Sequence, residues 1–544
     1  MKTNHQKNLF QAMAKPEFYP HPVSRVKQRE THISKVFLTG TYVYKIKKAL
    51  NLEFLDYTSL PKRKYYCRQE TVLNRRLSDN IYLGVVAITF KKDRYYLEGP
   101  GKPVEYAVKM RQLPEDRSMQ QLLRRGKIDR AALETLARIL AAFYNQAATG
   151  NVINPLGTSE AVRTKFEDNF TQTQRFVGEL IDERIFQIIR AACRSFLQRR
   201  QALFQHRIET EKIRDCHGDL RCGHIYFVDG IQIVDCIEFN EHFRYSDITW
   251  DLAFLAMDLD FEGFAKIAWE LLKAYVESAN DPDVFVLIDF YKCHRALVRA
   301  KVNCLRLEHE CLGKSGKTRL RSEITRYMDL AYQYAVQFTR PALWVVCGMP
   351  ASGKSTIADE LAGILGVNVL RSDRIRKDLF GLKSAGPVNL PFEEGIYSKG
   401  AGALTYGKLL LLAQEEIEKG ASVILDATFS SEHHRREAVL LAANQDANII
   451  FIECAAPENV MIARIIRRET EPCISDARLD HLEQFKKRFE PLNDLRDEIH
   501  IRVDTARPLA ENMQKILSQD YILLSKLTPN FTRGVYPALP TGRT

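Results

Sequence analysis

The spacing of apolar side chains separates strand-like from helix-like stretches early in the chain. Residues 33 to 48 alternate between apolar and polar positions around Gly40, whereas residues 61 to 77 repeat apolar positions at helical spacing. Three more stretches have the pattern of strands: "YLGVVAITF", "RYYLEG" and "VEYAVKM". The pattern predicts a small sheet accompanied by one helix.

The next part of the chain, up to Pro341, has apolar residues mainly at helical spacing. Residues 117 to 205 and 250 to 335 are predicted to be mainly helical, and residues 208 to 239 return to short strands around the turn "VDG". The stretch "FTRPA" at 338 to 342 ends the last helical region, since a helix rarely continues past the residue before a proline. The apolar strand "LWVVC" follows it directly.

A chain of 544 residues is too long for one hydrophobic core, because single domains usually hold roughly 100–200 residues. The patterns predict an α+β domain followed by an α/β domain whose parallel sheet is flanked by helices. The last stretch has the Pro, Gly and Thr content of a loose tail. In chain order, we predict an N-terminal extension, a first domain, a second domain and a tail at residues 1–29, 30–338, 341–518 and 519–544.

Composition narrows the class of protein. Hydrophobic residues make up 45% and charged residues 27%, which is typical of globular proteins. The 11 cysteines contain no CxxC pair, and neither a signal-peptide core nor a membrane-spanning apolar run occurs. These features predict a cytoplasmic protein without a membrane partner.

The positive charge is unevenly distributed. Residues 341 to 544 hold 25 Lys and Arg against 27 Asp and Glu, which leaves 54 against 41 in the part before them. A basic first part suits an anionic ligand such as a nucleotide, or is simply a solvated surface. Nucleic acid is a less favoured partner, because no interleaved pattern of arginines and aromatic residues is present.

The stretch "GMPASGKST" at 348 to 356 carries the most specific motif. It fits G-x-x-x-x-G-K-[ST] between an apolar strand and the helix-like "STIADELAGILG". Glycines let backbone amides wrap the phosphates of ATP, a lysine reaches the β- and γ-phosphates, and a serine hydroxyl ligates Mg²⁺. The predicted ATP-binding residues are Gly348, Ser352, Gly353, Lys354, Ser355 and Thr356, with Ser355 also a ligand of Mg²⁺.

Two further strands of this half end in carboxylates. Asp426 ends "VILDAT" and is a predicted Mg²⁺ ligand. Asp373 follows another strand in "VLRSDRIRKDLFG" and is the predicted base for an acceptor hydroxyl, with Arg376 one helical turn later binding an anion. The alternative is that Asp373 only caps the next helix.

Arginines follow on a later predicted helix. In "ARIIRRE", Arg464, Arg467 and Arg468 precede "TEPCISDAR". Arg464 and Arg468 are predicted to contact the nucleotide from a lid that closes over the phosphates. A plain surface helix is the equally weighted alternative.

A second candidate site lies before the boundary, in "HGDLRCGH" at 217 to 224. An Asp on a loop between a helix and a strand can orient and deprotonate a hydroxyl, so Asp219 is a candidate catalytic base. Sixteen residues later, Asp235 in "IQIVDCIEF" could face the same metal ion across a predicted hairpin.

On these residues, positions 30 to 335 resemble the aminoglycoside phosphotransferase and choline kinase superfamily, whose two-lobed fold is similar to that of protein kinases. The resemblance implies Asp219 as base, Asp235 as Mg²⁺ ligand and Asp251 as anchor of the catalytic loop. It further implies that Lys45 contacts the nucleotide phosphates and that Glu70 is its helix partner. Singly, these residues also fit a solvated strand end, a helix-surface carboxylate or a turn.

The resemblance also assigns residues 104 to 110 to the hinge that contacts adenine through backbone groups. Two departures from the superfamily pattern stand out. His224 occupies the position of a metal-binding Asn, and neutral imidazole is a poor ligand for Mg²⁺. The nucleotide loop has only Gly40 as an obvious glycine.

The second half is similar to small P-loop kinases such as gluconate, adenylylsulfate and polynucleotide 5′-kinases. Nearly the whole chain resembles bacterial proteins that fuse an aminoglycoside phosphotransferase-like domain to a P-loop kinase domain, with "ETHISKVFLTG" as a distinctive stretch. This resemblance implies an ATP- and Mg²⁺-dependent phosphotransferase with two nucleotide sites and a small-molecule acceptor. The alternatives are a nucleotide-sensing regulator with a weak first domain and a nucleic-acid 5′-end kinase in the second.

Overall fold

The chain folds into two compact units, each formed from two segments of sequence. Unit 1 comprises Met1–Ala161 and Arg207–Ser278, and unit 2 comprises Val162–His206 and Ala279–Thr544. The computed structural model describes residues 2–52, 55–78, 80–309, 313–382, 395–469, 479 and 482–527.

Unit 1 begins with a six-stranded antiparallel sheet of order β1-β2-β3-β8-β6-β7. Helix α2 begins after Ser59, whose hydroxyl accepts a hydrogen bond from the Lys62 amide, and it packs on β6 and β8. The strands and helices are α1 (Lys2–Met13), β1 (Lys27–Glu30), β2 (Ser34–Leu38), β3 (Tyr42–Lys47), β4 (Asn51–Leu52), β5 (Leu55–Asp56), α2 (Leu60–Asn74), β6 (Tyr82–Lys91), β7 (Arg94–Leu97) and β8 (Lys102–Arg111).

Helix α1 covers the face of the sheet opposite α2. Leu9 and Met13 of α1 share one buried cluster with Tyr44 and Ile46 of β3. An apolar sheet face must be covered to leave water, and here the start of the chain covers it. Residues 1–29, which the sequence pattern assigns to an extension, therefore contribute a core helix and the edge strand β1.

The rest of unit 1 is mainly helical, with two short antiparallel strand pairs, β10 with β11 and β9 with β12. A buried ion pair between Arg207 and Asp247, 2.9 Å apart, holds the start of α8. The elements are α3 (Met119–Arg124), α4 (Arg130–Gln146), α5 (Ser159–Thr173), α6 (Glu183–Arg199), α7 (Gln201–Glu209), β9 (Ile213–Asp215), β10 (Ile225–Phe227), β11 (Ile231–Ile233), β12 (Tyr245–Asp247), α8 (Ile248–Phe261) and α9 (Ala265–Ala279). Of these, α6, residues 162–173 of α5 and residues 201–206 of α7 belong to unit 2.

Unit 2 contains a five-stranded parallel sheet of order β14-β15-β13-β16-β17. The central strand β13 is buried at every position, as expected for a parallel strand covered on both faces. The elements are α10 (Val284–His309), α11 (Lys314–Thr339), β13 (Ala342–Cys347), α12 (Lys354–Leu365), β14 (Asn368–Arg371), α13 (Ser372–Leu379), α14 (Lys399–Glu418), β15 (Val423–Asp426), α15 (Glu432–Asn444), β16 (Asn448–Ala455), α16 (Glu458–Glu469), α17 (Leu482–Arg488), β17 (His500–Asp504) and α18 (Leu509–Leu527).

The predicted domain boundary and the compact units differ. Helix α11 ends at Thr339 and β13 begins at Ala342, so Pro341 does separate two elements. However, residues 162–206 and 279–339 group with the parallel sheet rather than with unit 1. The predicted boundary marks the point in the sequence where the last helix before the parallel sheet ends. The compact units instead group that helix with the sheet.

Helix α18 extends past the predicted start of the tail at residue 519. Trp344 Nε1 of β13 donates a hydrogen bond to Asp520 Oδ1 at 3.3 Å, and Leu523 is buried. Residues 528–544 lie outside the described part of the chain. None of the helices in the described ranges has the length and hydropathy that crossing a bilayer requires.

We expect Asp520→Asn to stabilise the protein increasingly as pH rises. Burial raises the pKa of Asp520 from its ordinary 3.8 to about 7, although the Trp344 hydrogen bond opposes the shift. The unfolded chain releases this proton above pH ~4 and the folded chain keeps it, so wild-type stability falls between those values by roughly 3–4 kcal/mol. Urea unfolding of both proteins at pH 5 and 8 measures this, and a difference that does not grow with pH would contradict it.

Candidate active sites

Lys45 of unit 1 contacts two carboxylates that come from distant parts of the chain. Its Nζ lies 2.8 Å from Glu70 Oε1 of α2 and 2.6 Å from Asp235 Oδ1, which follows β11. Burial disfavours the charged form of Lys45, but Asp235 and Glu70 outweigh it and raise the lysine pKa. The structure thus brings together the three residues that the sequence placed in one nucleotide site.

Lys47, two residues further along the same face of β3, was not singled out from the sequence. It is fully buried and forms ion pairs with Glu70 and Glu238, and the Tyr57 hydroxyl donates to Glu238 at 2.7 Å. The period of two in "YKIKK" places Lys45 and Lys47 side by side, and that signal could have found it. Glu70 is consequently held by two cations.

The loop that carries Asp219 is fixed through its backbone. Asp251 of α8 accepts hydrogen bonds of 2.9 Å from the amides of His217 and Gly218 and one of 3.0 Å from the Tyr144 hydroxyl. Burial lowers the pKa of His217 to about 4, so its ring is neutral where it meets the Val234 carbonyl. Asp251 occupies the anchoring position that the family resemblance implied.

Asp219 is held by an arginine that the sequence analysis did not assign. Arg221 Nε and Nη2 each lie 2.8 Å from one oxygen of the Asp219 carboxylate, and Nη2 also lies 3.0 Å from His224 Nε2. Since guanidinium can only donate, His224 Nε2 is the acceptor and Nδ1–H donates to the Asp219 carbonyl at 2.9 Å. Asp219 and His224 therefore share one cation.

One ligand atom from each of Asp219, His224 and Asp235 falls within 4.8 Å of the others, which marks a candidate metal group. Burial would raise the pKa of Asp219, but the Arg221 guanidinium holds it below its usual range, and Lys45 does the same for Asp235. Both carboxylates suit Mg²⁺ and the imidazole does not, so this donor set fits Mg²⁺ only in part.

Two expectations about the nucleotide cleft of unit 1 are wrong. The hinge was predicted at residues 104 to 110, but β8 runs there: residues 107 to 110 pair with both β3 and β6, and residues 105 and 106 pair with β6. The stretch is therefore a strand of the sheet and not an unpaired hinge. The turn at Gly40 lies beside Gln112, whose Oε1 accepts the Gly40 amide at 2.9 Å. Gly40 therefore belongs to the turn between β2 and β3. The turn between β1 and β2, at residues 31 to 33, lies nearer Lys47 and contains no glycine.

The phosphate-binding loop of unit 2 connects β13 to α12, as the motif predicts. Gly348 has φ 135°, and a Cβ there would lie 2.4 Å from the Cys454 carbonyl oxygen. Gly353 precedes the helix with φ 90°. Lys354, Ser355 and Thr356 form the first turn of α12, and Lys354 Nζ donates to the Met349 carbonyl at 2.8 Å. Only glycine fits where strand β16 approaches the loop.

Ser352 lies in this loop and is contacted by Thr505. Ser352 Oγ is buried and has no hydrogen-bond partner among the described residues, which is unusual for a buried hydroxyl. Thr505, after β17, donates from Oγ1 to the Ser352 carbonyl at 2.6 Å. The sequence did not single out Thr505, because no local signal links it to a loop about 150 residues earlier.

Asp426 lies at the carboxyl end of β15, where its register partner in β13 is Val346. Burial raises its pKa, against the opposing effects of Lys354 and a hydrogen bond with the Ser355 side chain. Arg371 Nε is 3.5 Å from Asp426 Oδ2. Hydroxyl and carboxylate oxygens are the donors that Mg²⁺ prefers, so Ser355 and Asp426 fit that ion.

Asp373 and Arg376 lie one turn apart on α13 and form an ion pair of 3.2 Å. Because the N-cap of α13 is Arg371, Asp373 sits inside the first turn and does not cap the helix. Arg371 pairs with Asp426 in the sheet register, which places Asp373 close to the same sheet edge. Arg376 is mostly buried and Asp373 is 37% exposed, so the carboxylate remains accessible.

Arg464 of α16 contacts the phosphate loop and the segment after β17. It donates to the Thr505 carbonyl at 2.7 Å and to the Ala351 carbonyl at 3.3 Å. A cavity of about 260 Å³ beside the loop is lined by Arg464, Arg467, Thr356 and Thr505, among others. The side chain of Arg468 and most of the predicted lid, residues 470 to 478, lie outside the described residues.

Three further polar side chains, those of Tyr406, Thr428 and His434, contact one another near the end of β15. Tyr406 of α14 has its hydroxyl 3.0 Å from Thr428 Oγ1 and accepts the Phe429 amide at 2.9 Å. Its ring stacks on His434 at 3.9 Å. The sequence did not single out these residues, since they lie on three separate elements.

Comparison with known proteins places the chain in a family. Residues 343–492 match the family model described as AAA domain. The Mycobacterium tuberculosis protein called Uncharacterized protein Rv2004c is 31% identical over 454 residues, which cover 82% of this chain and 88% of that protein. The chain belongs to the same family as this mycobacterial protein.

Different solved structures resemble different parts of this chain. Aminoglycoside 2′-phosphotransferase-IIIa is 15% identical, covers 60% of this chain and 98% of its own, and has a TM-score of 0.37. The APS kinase of Mycobacterium tuberculosis is 20% identical, covers 33% of this chain and 97% of its own, and has a TM-score of 0.25.

The activity class follows from the sites themselves. A phosphate loop between β13 and α12, at the carboxyl edge of a parallel sheet and within the matched AAA domain, identifies a P-loop kinase domain. Unit 1 joins a strand lysine, a helix glutamate and an Asp-bearing loop below an antiparallel sheet, which is the protein-kinase-like arrangement. The chain is an ATP-dependent phosphotransferase.

We expect Lys47→Met to destabilise the protein by about 3–5 kcal/mol, because it leaves Glu70 and Glu238 buried with one fewer cation. The adjacent Lys48→Met is the matched control. Lys48 is partly exposed and pairs with Glu30 at the surface, so its loss is worth less than about 1 kcal/mol. Urea unfolding monitored by circular dichroism measures both, and equal effects would contradict the cluster's structural role.

Proposed function

We propose that unit 2 transfers the γ-phosphate of ATP to a hydroxyl of a small molecule. The observation that carries this proposal is the convergence of three groups at one sheet edge: the loop bearing Lys354, the carboxylate of Asp426 and the Asp373–Arg376 pair. Phosphoryl transfer depends mainly on positioning and charge stabilisation, and these groups supply both.

Binding of ATP relies on the loop and the start of α12. Backbone amides wrap the phosphates, the N-terminus of α12 adds favourable dipole, and Lys354 exchanges its Met349 carbonyl contact for the β- and γ-phosphates. Mg²⁺ would be held by Ser355 and Asp426, and it neutralises charge on the phosphates when bound. The cavity beside Thr356 and Arg467 is suited to the rest of the nucleotide.

Asp373 is the proposed base for the acceptor. Its carboxylate takes the hydroxyl proton as the acceptor oxygen bonds to the γ-phosphorus, and the bond from that phosphorus to the bridging oxygen breaks to release ADP. Arg376 orients the carboxylate and offers positive charge to the group in transfer. Tyr406, Thr428 and His434 are suited to hydrogen-bond a polyhydroxylated acceptor.

We further propose that unit 1 is a second nucleotide site. Lys45, supported by Glu70, contacts the phosphates, Asp235 holds a metal ion, and Asp219 faces the acceptor. One observation favours a second candidate, a nucleotide sensor without transfer. Both Asp219 oxygens are occupied by Arg221, and His224 stands at a metal-ligand position.

A panel of metabolites and oligonucleotides incubated with the full chain and ATP separates these functions by the phosphorylated product that forms. A phosphorylated small molecule supports the main proposal. If only oligonucleotide ends are labelled, the acceptor class is wrong, and if nothing is labelled while ATP binds, the sensor is favoured.

We expect Lys354→Ala to lower the nucleotide stoichiometry of the full chain from two to one, because the ammonium that contacts the β- and γ-phosphates is lost while unit 1 is unchanged. Equilibrium dialysis with ATP measures it. Lys419→Ala, at an exposed lysine of unit 2, is the control and should keep two. Two sites of unchanged affinity in Lys354→Ala would refute the role of the loop.

We expect Asp373→Asn to leave ATP binding nearly intact but to lower the transfer rate about 10²–10⁴-fold, since an amide cannot take the proton. Asp378→Asn, at an exposed position of the same helix, should retain the wild-type rate. The measurement is kcat with the acceptor found in the panel. A wild-type kcat for Asp373→Asn would show that Asp373 is not the base.

A further inference from the structure

We propose that Arg221 is a built-in cation that replaces one of the two metal ions at the nucleotide site of unit 1. The proposal rests on the proposed nucleotide binding by that unit. Kinases of this fold usually hold two Mg²⁺ between the carboxylate after the catalytic hairpin and an Asn of the catalytic loop. Here those positions are Asp235 and His224.

The guanidinium contacts atoms that a metal ion would otherwise use. Arg221 donates to both oxygens of Asp219 at 2.8 Å and to His224 Nε2 at 3.0 Å. Two of the three members of the candidate metal group are thereby bound by one side chain. Only Asp235 is left without a contact to this guanidinium.

The hydrogen bonds of His224 agree with this arrangement. Because Nδ1–H donates to the Asp219 carbonyl, the lone pair of Nε2 is directed at Arg221, and it is 3.6 Å from Asp235 Oδ2. An Asn at this position would offer an oxygen to a hard cation. The imidazole instead offers a nitrogen, which hydrogen-bonds to guanidinium but ligates Mg²⁺ poorly.

Arg221 is positioned before any nucleotide binds. Its guanidinium carbon lies 5.7 Å from the Phe254 ring centre, a cation–π contact. The following amide, of Cys222, donates to Asp258 at 3.0 Å and fixes the loop. A bidentate carboxylate contact and an aromatic face together hold the planar group in one orientation.

The charge of the site changes accordingly. Without Arg221, two lysines would face four carboxylates, and with it three cations face them, so less added positive charge is needed to receive the phosphates. The cluster consists of Lys45, Lys47, Arg221, Glu70, Asp219, Asp235 and Glu238. We infer that Asp235 holds a single metal ion beside the nucleotide.

Counting Mn²⁺ tests the proposal, since Mn²⁺ accepts both carboxylate and imidazole ligands. All samples are the full chain carrying Lys354→Ala, saturated with a non-hydrolysable ATP analogue, and bound Mn²⁺ is obtained from the loss of the free-ion EPR signal. We expect one Mn²⁺ per chain in the parent and two in Arg221→Ala. Arg221→Gln, which preserves size without charge, should also give two, and Arg130→Ala, at an exposed arginine of unit 1, should give one.

Circular dichroism establishes that each variant is folded, and Arg221→Gln serves if Arg221→Ala is not. Two Mn²⁺ in the parent would show that the guanidinium yields to a metal ion and would overturn the proposal. One Mn²⁺ in both Arg221 variants would overturn it as well. If the parent binds no analogue in equilibrium dialysis, nucleotide binding by unit 1 fails and the proposal fails with it, whereas analogue binding with two Mn²⁺ refutes the proposal alone.

Discussion

The pairing of buried charge is the constraint on which the site of unit 1 depends. Glu70 is fully buried, and a carboxylate there would be costly unless cations were close. Lys45 and Lys47 meet it from one strand, and through them the cluster reaches Asp235 and Glu238, which are far away in the sequence. The same pairs that satisfy the charges therefore join the sheet, helix α2 and the segment that carries Asp235 and Glu238.

Unit 2 follows the same rule around Arg435. This arginine is buried and donates to Asp494 and to the backbone carbonyls of Phe429 and Pro491. Phe429 closely follows Asp426, so the arginine fixes the loop that leaves strand β15. Parallel strands contribute the second constraint, because their carboxyl ends bring Asp426, Asp373 and the phosphate loop to one edge.

Much of the candidate chemistry could be predicted because its signals are local. The phosphate loop depends on glycines and a lysine within nine residues, and the strand and helix on either side have recognisable patterns. Lys45 and Glu70 could be proposed because they occur in the same order, on a predicted strand and then a predicted helix, as in the family that the sequence resembles. The hinge prediction at 104 to 110 was wrong because an apolar strand pattern does not reveal which of its backbone groups are paired within the sheet.

By itself, the sequence determined the class of each site, since residue types and spacing within one strand, loop or helix decide which ligand a backbone can wrap. Only the tertiary structure decided which side chains share a charge. Arg221 lies on Asp219, Lys47 joins Glu70 to Glu238, and Thr505 closes on the phosphate loop. These contacts join separate elements or depend on one side-chain rotamer within a loop. An unpaired charge or polar group is costly only once it is buried, so the need for each contact arises only in the folded chain.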